Sequence, residues 1–141
     1  MKKYVGRKYD YGKVDCYSLV RDFYKDEFGI ELTNYARPKD WFDKGANVYM
    51  ENFKNEGFYL LEENEELLYG DVFLIAFGTQ VASHAAIYVG DNEILHHPLN
   101  RISAVDKYKG IWKNWTVARV RHVSKKGQAK EKIEYVFKQE R

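Results

Sequence analysis

His84-Ala85-Ala86-Ile87-Tyr88-Val89-Gly90-Asp91-Asn92-Glu93-Ile94-Leu95-His96-His97 reads as a β-hairpin. Two short runs rich in Ile, Val and Tyr flank the turn formers Gly90-Asp91-Asn92, and Pro98 ends the second run. The apolar stretch 71–77 ahead of it, opened by Gly70, reads as a buried strand, and 115–121 behind it alternates well enough to be another. Upstream the period changes. Cys16, Leu19, Val20, Phe23, Tyr24 and Phe28 recur at steps of one, three and four, which is one face of a helix. Asp15 precedes that face as an N-cap and Gly29 follows as a stop, so Cys16 falls in the first helical turn. A second helix is expected over 46–56, with Val48, Tyr49, Met50 and Phe53 apolar and Gly57 closing it; the segment between, with Pro38 and Trp41, reads as irregular. Helices first and a mostly antiparallel sheet afterwards make an α+β chain, its helices packed on the sheet.

The chain holds 141 residues and 16.7 kDa, enough for one core and little else. A composition of 45% hydrophobic and 16% aromatic residues excludes a disordered chain. The net charge of +2 is uneven: residues 124–141 carry six basic and three acidic side chains, and the remainder is −1. The division expected is a domain over 1–123 and a basic tail or terminal element over 124–141, either a solvated terminus or a contact for an acidic partner. Nothing global points to nucleic acid. The longest apolar run has six residues, against about 20 needed to cross a bilayer, so no membrane insertion is expected. Residues 1–8 carry charges with no apolar stretch behind them and do not read as a signal peptide.

A single cysteine excludes a disulfide framework and a four-cysteine zinc site, and leaves Cys16 as either a buried filler or a reagent. A helix N-terminus favours thiolate, and a histidine brought near by folding would take the proton. All four histidines lie after residue 83. The hairpin brings His84 beside His96 on one face, which suits a base and its orienting partner, while alternation turns His97 to the other face. A metal site from His84, His96 and His97 is the alternative use of the same imidazoles. His97 and His122 are read as structural or solvent-facing.

These residues carry a family likeness. Gly6-Arg7-Lys8-Tyr9-Asp10-Tyr11-Gly12 with Asp15-Cys16, then Gly70-Asp71-Val72-Phe73-Leu74, then His84-Ala85-Ala86-Ile87-Tyr88-Val89-Gly90 resemble the successive blocks of NlpC/P60 cysteine peptidases. The resemblance covers about residues 4–121 and is strongest to the branch found in siphophage tail tips, on Cys16-Tyr17-Ser18-Leu19-Val20-Arg21-Asp22 and Ile94-Leu95-His96-His97-Pro98-Leu99. Tyr17 and Ser18 stand where bacterial cell-wall members usually have Ser-Gly.

The resemblance implies a papain-like fold with Cys16 as nucleophile, His84 as general base and His96 as its orienting residue. It places the Tyr9 hydroxyl at the oxyanion site and gives Asp15 helix capping, or contact with a substrate amine. The implied activity is hydrolysis of peptidoglycan stem peptides between D-glutamate and the following diamino acid, with no metal or other cofactor. The implied partners are the stem peptide and phage tail-tip proteins, and the implied place is the virion tail, acting at the bacterial cell wall. The alternative from another class is a structural or assembly protein of the tail tip with weak or vestigial peptidase activity.

Overall fold

The computed structural model describes residues 1–37 and 48–125; Pro38, Trp41, the start of the second expected helix and the tail from 126 lie outside the described residues. Helix α1 (Cys16–Phe28) runs between the expected boundaries because both ends are capped. The Asp15 side chain accepts the Ser18 N–H, the Ser18 hydroxyl accepts the Asp15 N–H, and Gly29 closes the helix at φ 67°. Such a cap contributes about 1 kcal/mol. Helix α2 (Val48–Asn55) falls inside the expected 46–56 and presents Tyr49 and Phe53 to the core.

Strands β1 (Phe58–Leu60), β2 (Val72–Ile75), β3 (His84–Tyr88), β4 (Glu93–His96), β5 (Ala104–Lys107) and β6 (Thr116–His122) form one sheet in the order β1-β6-β2-β3-β4-β5, with every pair antiparallel. A short helix α3 (Ile111–Asn114) precedes β6. The α+β reading holds. Edge strands β1 and β5 and helix α3 had no expectation, since each spans only three or four residues and lacks a clean period.

All four positions of β2 are buried because the sheet is covered on both faces. On one face Leu19, Val20 and Phe23 of α1, with Tyr49 and Phe53, pack on Val72, Leu74, Ala85, Ile87 and Val120. On the other, Trp112 of α3 covers Phe73, Ile75, Ala86 and Ile94. By strand alternation His84 and His96 belong to this second face. His84 opens β3, however, so its ring lies at the sheet's end, where the start of α1 reaches it.

The Gly70-Asp71 block has a structural meaning. Gly70 takes φ 95°, and a Cβ there would lie 2.6 Å from Lys125 Nζ and 2.8 Å from the Phe28 ring. Asp71 is held by Arg121 through Nε at 2.9 Å and Nη2 at 2.8 Å, both side chains being buried. Lys125, assigned from sequence to the tail, is buried in the domain: its Nζ donates to the Tyr69 carbonyl and lies 3.1 Å from the Phe28 ring centroid. Burial pushes its pKa down to about 8. Among the described residues no helix is long and apolar enough to cross a membrane.

Candidate active site

Asp15 Oδ1 caps α1, and its Oδ2 accepts Arg37 Nε at 2.6 Å in a nearly buried ion pair. Arg37 also donates to the carbonyls of Gly12 and Tyr35, so the turn before the helix, the helix start and the 33–37 stretch are tied at one point. Both Asp15 oxygens thus serve the protein's own donors.

Cys16 follows, half-buried, with Sγ 2.9 Å from the Tyr49 hydroxyl and within reach of the Ala85 backbone N–H. Burial, reinforced by the Asp15 carboxylate, pushes the thiol up to about 11; Tyr49, the Ala85 N–H and Arg37 pull against that rise. The resting sulfur is therefore a thiol at neutral pH. The first-turn N–H groups of Cys16 and Tyr17 have no acceptor within the helix, and they carry its positive end.

A line of three side chains runs back from the cavity wall. Asp106 Oδ2 lies 2.7 Å from His96 Nε2, and His96 Nδ1 lies 2.9 Å from His84 Nε2. One proton arrangement satisfies the whole line. The carboxylate accepts, so His96 Nε2 carries hydrogen and Nδ1 is a lone pair; that lone pair accepts the His84 Nε2–H. His84 Nδ1 is left as the basic nitrogen. Burial, then the neighbouring His96, holds the His84 pKa well below the usual imidazole value, while Asp106 opposes the burial of His96.

His84 and His96 meet diagonally rather than side by side as expected from sequence. Asp91 and Asn92 take φ 52° and 58°, the Glu93 N–H closes on Gly90, and the resulting register sets His96 opposite Ala86. A two-residue offset preserves the face, so the histidines still touch. His97 follows the end of β4 and lines the same cavity as His84, at the sheet's end beside the start of α1. It is buried, with Nε2 2.8 Å from the Arg101 carbonyl oxygen and its ring edge-on to Tyr9 at 5.4 Å.

The cavity measures about 340 Å³, and Tyr9, Asp15, Cys16, Tyr49, His84 and His97 contribute to its lining. Four of the five residues singled out from sequence therefore share one cavity, and His96 stands behind it. Asp106 and Tyr49 were missed in this role. Asp106 lies in the unrecognised β5, and Tyr49 looked like one more apolar residue on a helix face.

The neutral His84 has a consequence for folding. Its folded pKa lies below the unfolded value of about 6.5, so the unfolded chain binds a proton that the folded chain refuses. Its contribution is complete above that pH and declines as pH drops below it. Thermal melts over a pH series should show the midpoint falling below about pH 6.5, with a shallower fall in His84→Gln.

A helix-start thiol set against a histidine-bearing antiparallel sheet places the molecule in the papain-like α+β class. The chain belongs to the NlpC/P60 family, whose family model matches residues 6–121. It is 39% identical over 117 residues to the tail tip assembly protein K of Escherichia phage lambda, covering 83% of this chain and 58% of that protein. It is 28% identical over 124 residues to the protein of the same name from Escherichia phage N15, covering 86% and 50%. The chain thus spans about half the length of these curated relatives. Among solved structures it resembles an NLP/P60-family protein, similar to lipoprotein, from Staphylococcus aureus (TM-score 0.56, 22% identity, 84% of this chain and 37% of that one). It also resembles NlpC1 from Trichomonas vaginalis (TM-score 0.58, 18% identity, 86% and 40%). At these identities the structures speak for the fold.

Proposed function

We propose that this chain is a cysteine endopeptidase that hydrolyses peptidoglycan stem peptides, between D-glutamate and the following diamino acid, as part of a phage tail tip acting at the bacterial cell wall. The observation that carries this reading is the hydrogen-bonded line Asp106–His96–His84, ending at the cavity that holds Cys16.

His84 Nδ1 takes the Cys16 proton as sulfur attacks the scissile carbonyl. The first-turn N–H of Cys16 and the Tyr9 hydroxyl receive the oxyanion, each such donor supplying about 3–4 kcal/mol. The Tyr49 hydroxyl steadies the anionic sulfur. The protonated His84 then gives its proton to the leaving amine, producing a thioester on Cys16. Water, deprotonated by His84, cleaves the thioester and restores the thiol. His96 and Asp106 keep the basic nitrogen of His84 toward the sulfur throughout.

Two results are expected. Asp106→Ala should lower kcat about ten-fold with little change in KM, because the carboxylate orients His96 without meeting substrate; ¹⁵N shifts of His96 should show loss of the single tautomer. Because His84 loses its proton well below the usual imidazole value, the acid limb of kcat/KM should lie below pH 6.5. A limb at or above pH 6.5 would remove His84 as the base.

The bond itself is tested by digesting disaccharide-tripeptide and disaccharide-tetrapeptide of defined sequence and weighing the products. Free diamino acid, or a dipeptide that begins with it, supports the reading; cleavage between sugar and L-alanine, or transfer without hydrolysis, replaces it with amidase or transferase chemistry. A second reading has its own support, since both phage relatives are named as assembly proteins. Virions carrying Cys16→Ala that assemble and infect normally would make assembly the function and the peptidase vestigial.

A further inference from the structure

Beside the catalytic cavity lies a second, more open groove of about 460 Å³, which borders it along Gly78 and Thr79. Thr79, Gln80, Asn114, Trp115, Thr116 and Val117 form its walls. Among the described residues that line it none is ionisable, in a chain of which 31% is charged. Trp115 is 42% exposed there although its backbone is fixed at both ends, its N–H on Ile111 and its carbonyl on Ala76. Opposite, β6 carries a bulge: Leu74 pairs with Ala118 and Ile75 with Thr116, so Val117 is the extra residue and turns outward at 52% exposure. Bulges of this kind re-aim side chains near functional sites. The groove is coupled to the catalytic cavity through one ring: Phe77 lies 6.0 Å from Trp115, stacks on Trp112 at 5.1 Å and meets His84 at 6.1 Å.

The geometry points to a subsite for an uncharged, N-acetylated sugar chain, the glycan that carries the stem peptide. An exposed indole offers a flat apolar face to the C–H side of a sugar ring. The amides of Gln80 and Asn114 each donate and accept, which matches hydroxyl and acetamido groups, while the Thr79 and Thr116 hydroxyls are held by the Val81 and Trp112 carbonyls and shape the wall. A stem peptide carries carboxylates and amines, whose burial against neutral walls would go uncompensated. A phosphate polymer fits no better. The location suits the substrate, for two stem residues separate the scissile amide from the sugar attachment, a span of roughly 7 to 10 Å.

This subsite rests on the peptidoglycan reading above, so its test has a part that needs no turnover. Cys16→Ala protein is titrated with the β-1,4-linked tetramer of N-acetylglucosamine while ¹H–¹⁵N spectra are recorded. Saturable millimolar shifts of the Trp115 indole and the Gln80 and Asn114 amides, absent in Trp115→Ala, are expected. Absence of shifts, or shifts elsewhere, overturns the subsite whether or not the chain cleaves stem peptides. The second part compares kcat/KM for a disaccharide-tetrapeptide and for the free tetrapeptide. The sugar should improve it about ten-fold, through KM, and Trp115→Ala and Gln80→Ala should shrink that ratio toward one. An unchanged ratio in both variants overturns the proposal, while failure to cleave either substrate counts against the peptidase reading and leaves the titration to decide the groove.

Discussion

Cys16→Ala should release no new amino groups from purified murein, and His84→Ala should fall almost as far. Residues that act as one unit lose nearly everything when either is removed, of the order of a million-fold in kcat for a hydrolytic nucleophile and its base. In the proposed mechanism they act as such a unit: both line one cavity, and the bond of His84 to His96 leaves Nδ1 as its basic nitrogen. The thiol, pushed up to about 11, is a poor nucleophile without that base. His96→Ala should be milder, since His84 stays in place and only its orientation is freed. Full activity in Cys16→Ala would leave the site without a chemical role. The fold should survive both changes: circular dichroism and melting of Cys16→Ala should match the parent.

The largest stability effect is expected far from the thiol. Asp71→Ala should cost about 3–5 kcal/mol in urea unfolding, because it removes the carboxylate that makes both close bonds to the buried Arg121 guanidinium and leaves only Glu65, at 3.9 Å, opposite it. Arg121 also donates to the Glu66 carbonyl, so the same change loosens the 62–66 turn from β6. Replacing both partners by apolar residues of similar volume should recover much of the loss, since the desolvation of two charges disappears together. A cost below 1 kcal/mol for Asp71→Ala would mean that water reaches the pair and would reduce the Gly70-Asp71 block to a turn signal.

What was legible in the sequence follows from where the signals are local. Asp15, the apolar steps to Phe28 and Gly29 lie in one continuous stretch, so α1 could be read to the residue, and with it the placement of Cys16. The hairpin was equally local, though its register depended on the backbone at Asp91 and Asn92 and came out two residues from the expected pairing. The rest of the site is built by distance. Arg37 reaches Asp15 across 22 residues, Tyr49 reaches Cys16 across 33, and Asp106 reaches His96 from a four-residue edge strand with no hydrophobic contrast. A tyrosine on an apolar helix face reads as core from sequence whether it fills space or touches a sulfur.

In the proposed mechanism Cys16 forms a thioester with the acyl half of a stem peptide. It is tested most directly by acid-quenching the protein with excess disaccharide-tripeptide and mapping its peptides by mass spectrometry. The Cys16 peptide alone should gain the mass of the glycan-linked fragment ending in D-glutamate, and lose it on treatment with hydroxylamine. Continued product formation after Cys16 has been carbamidomethylated, with no adduct on that peptide, would contradict it.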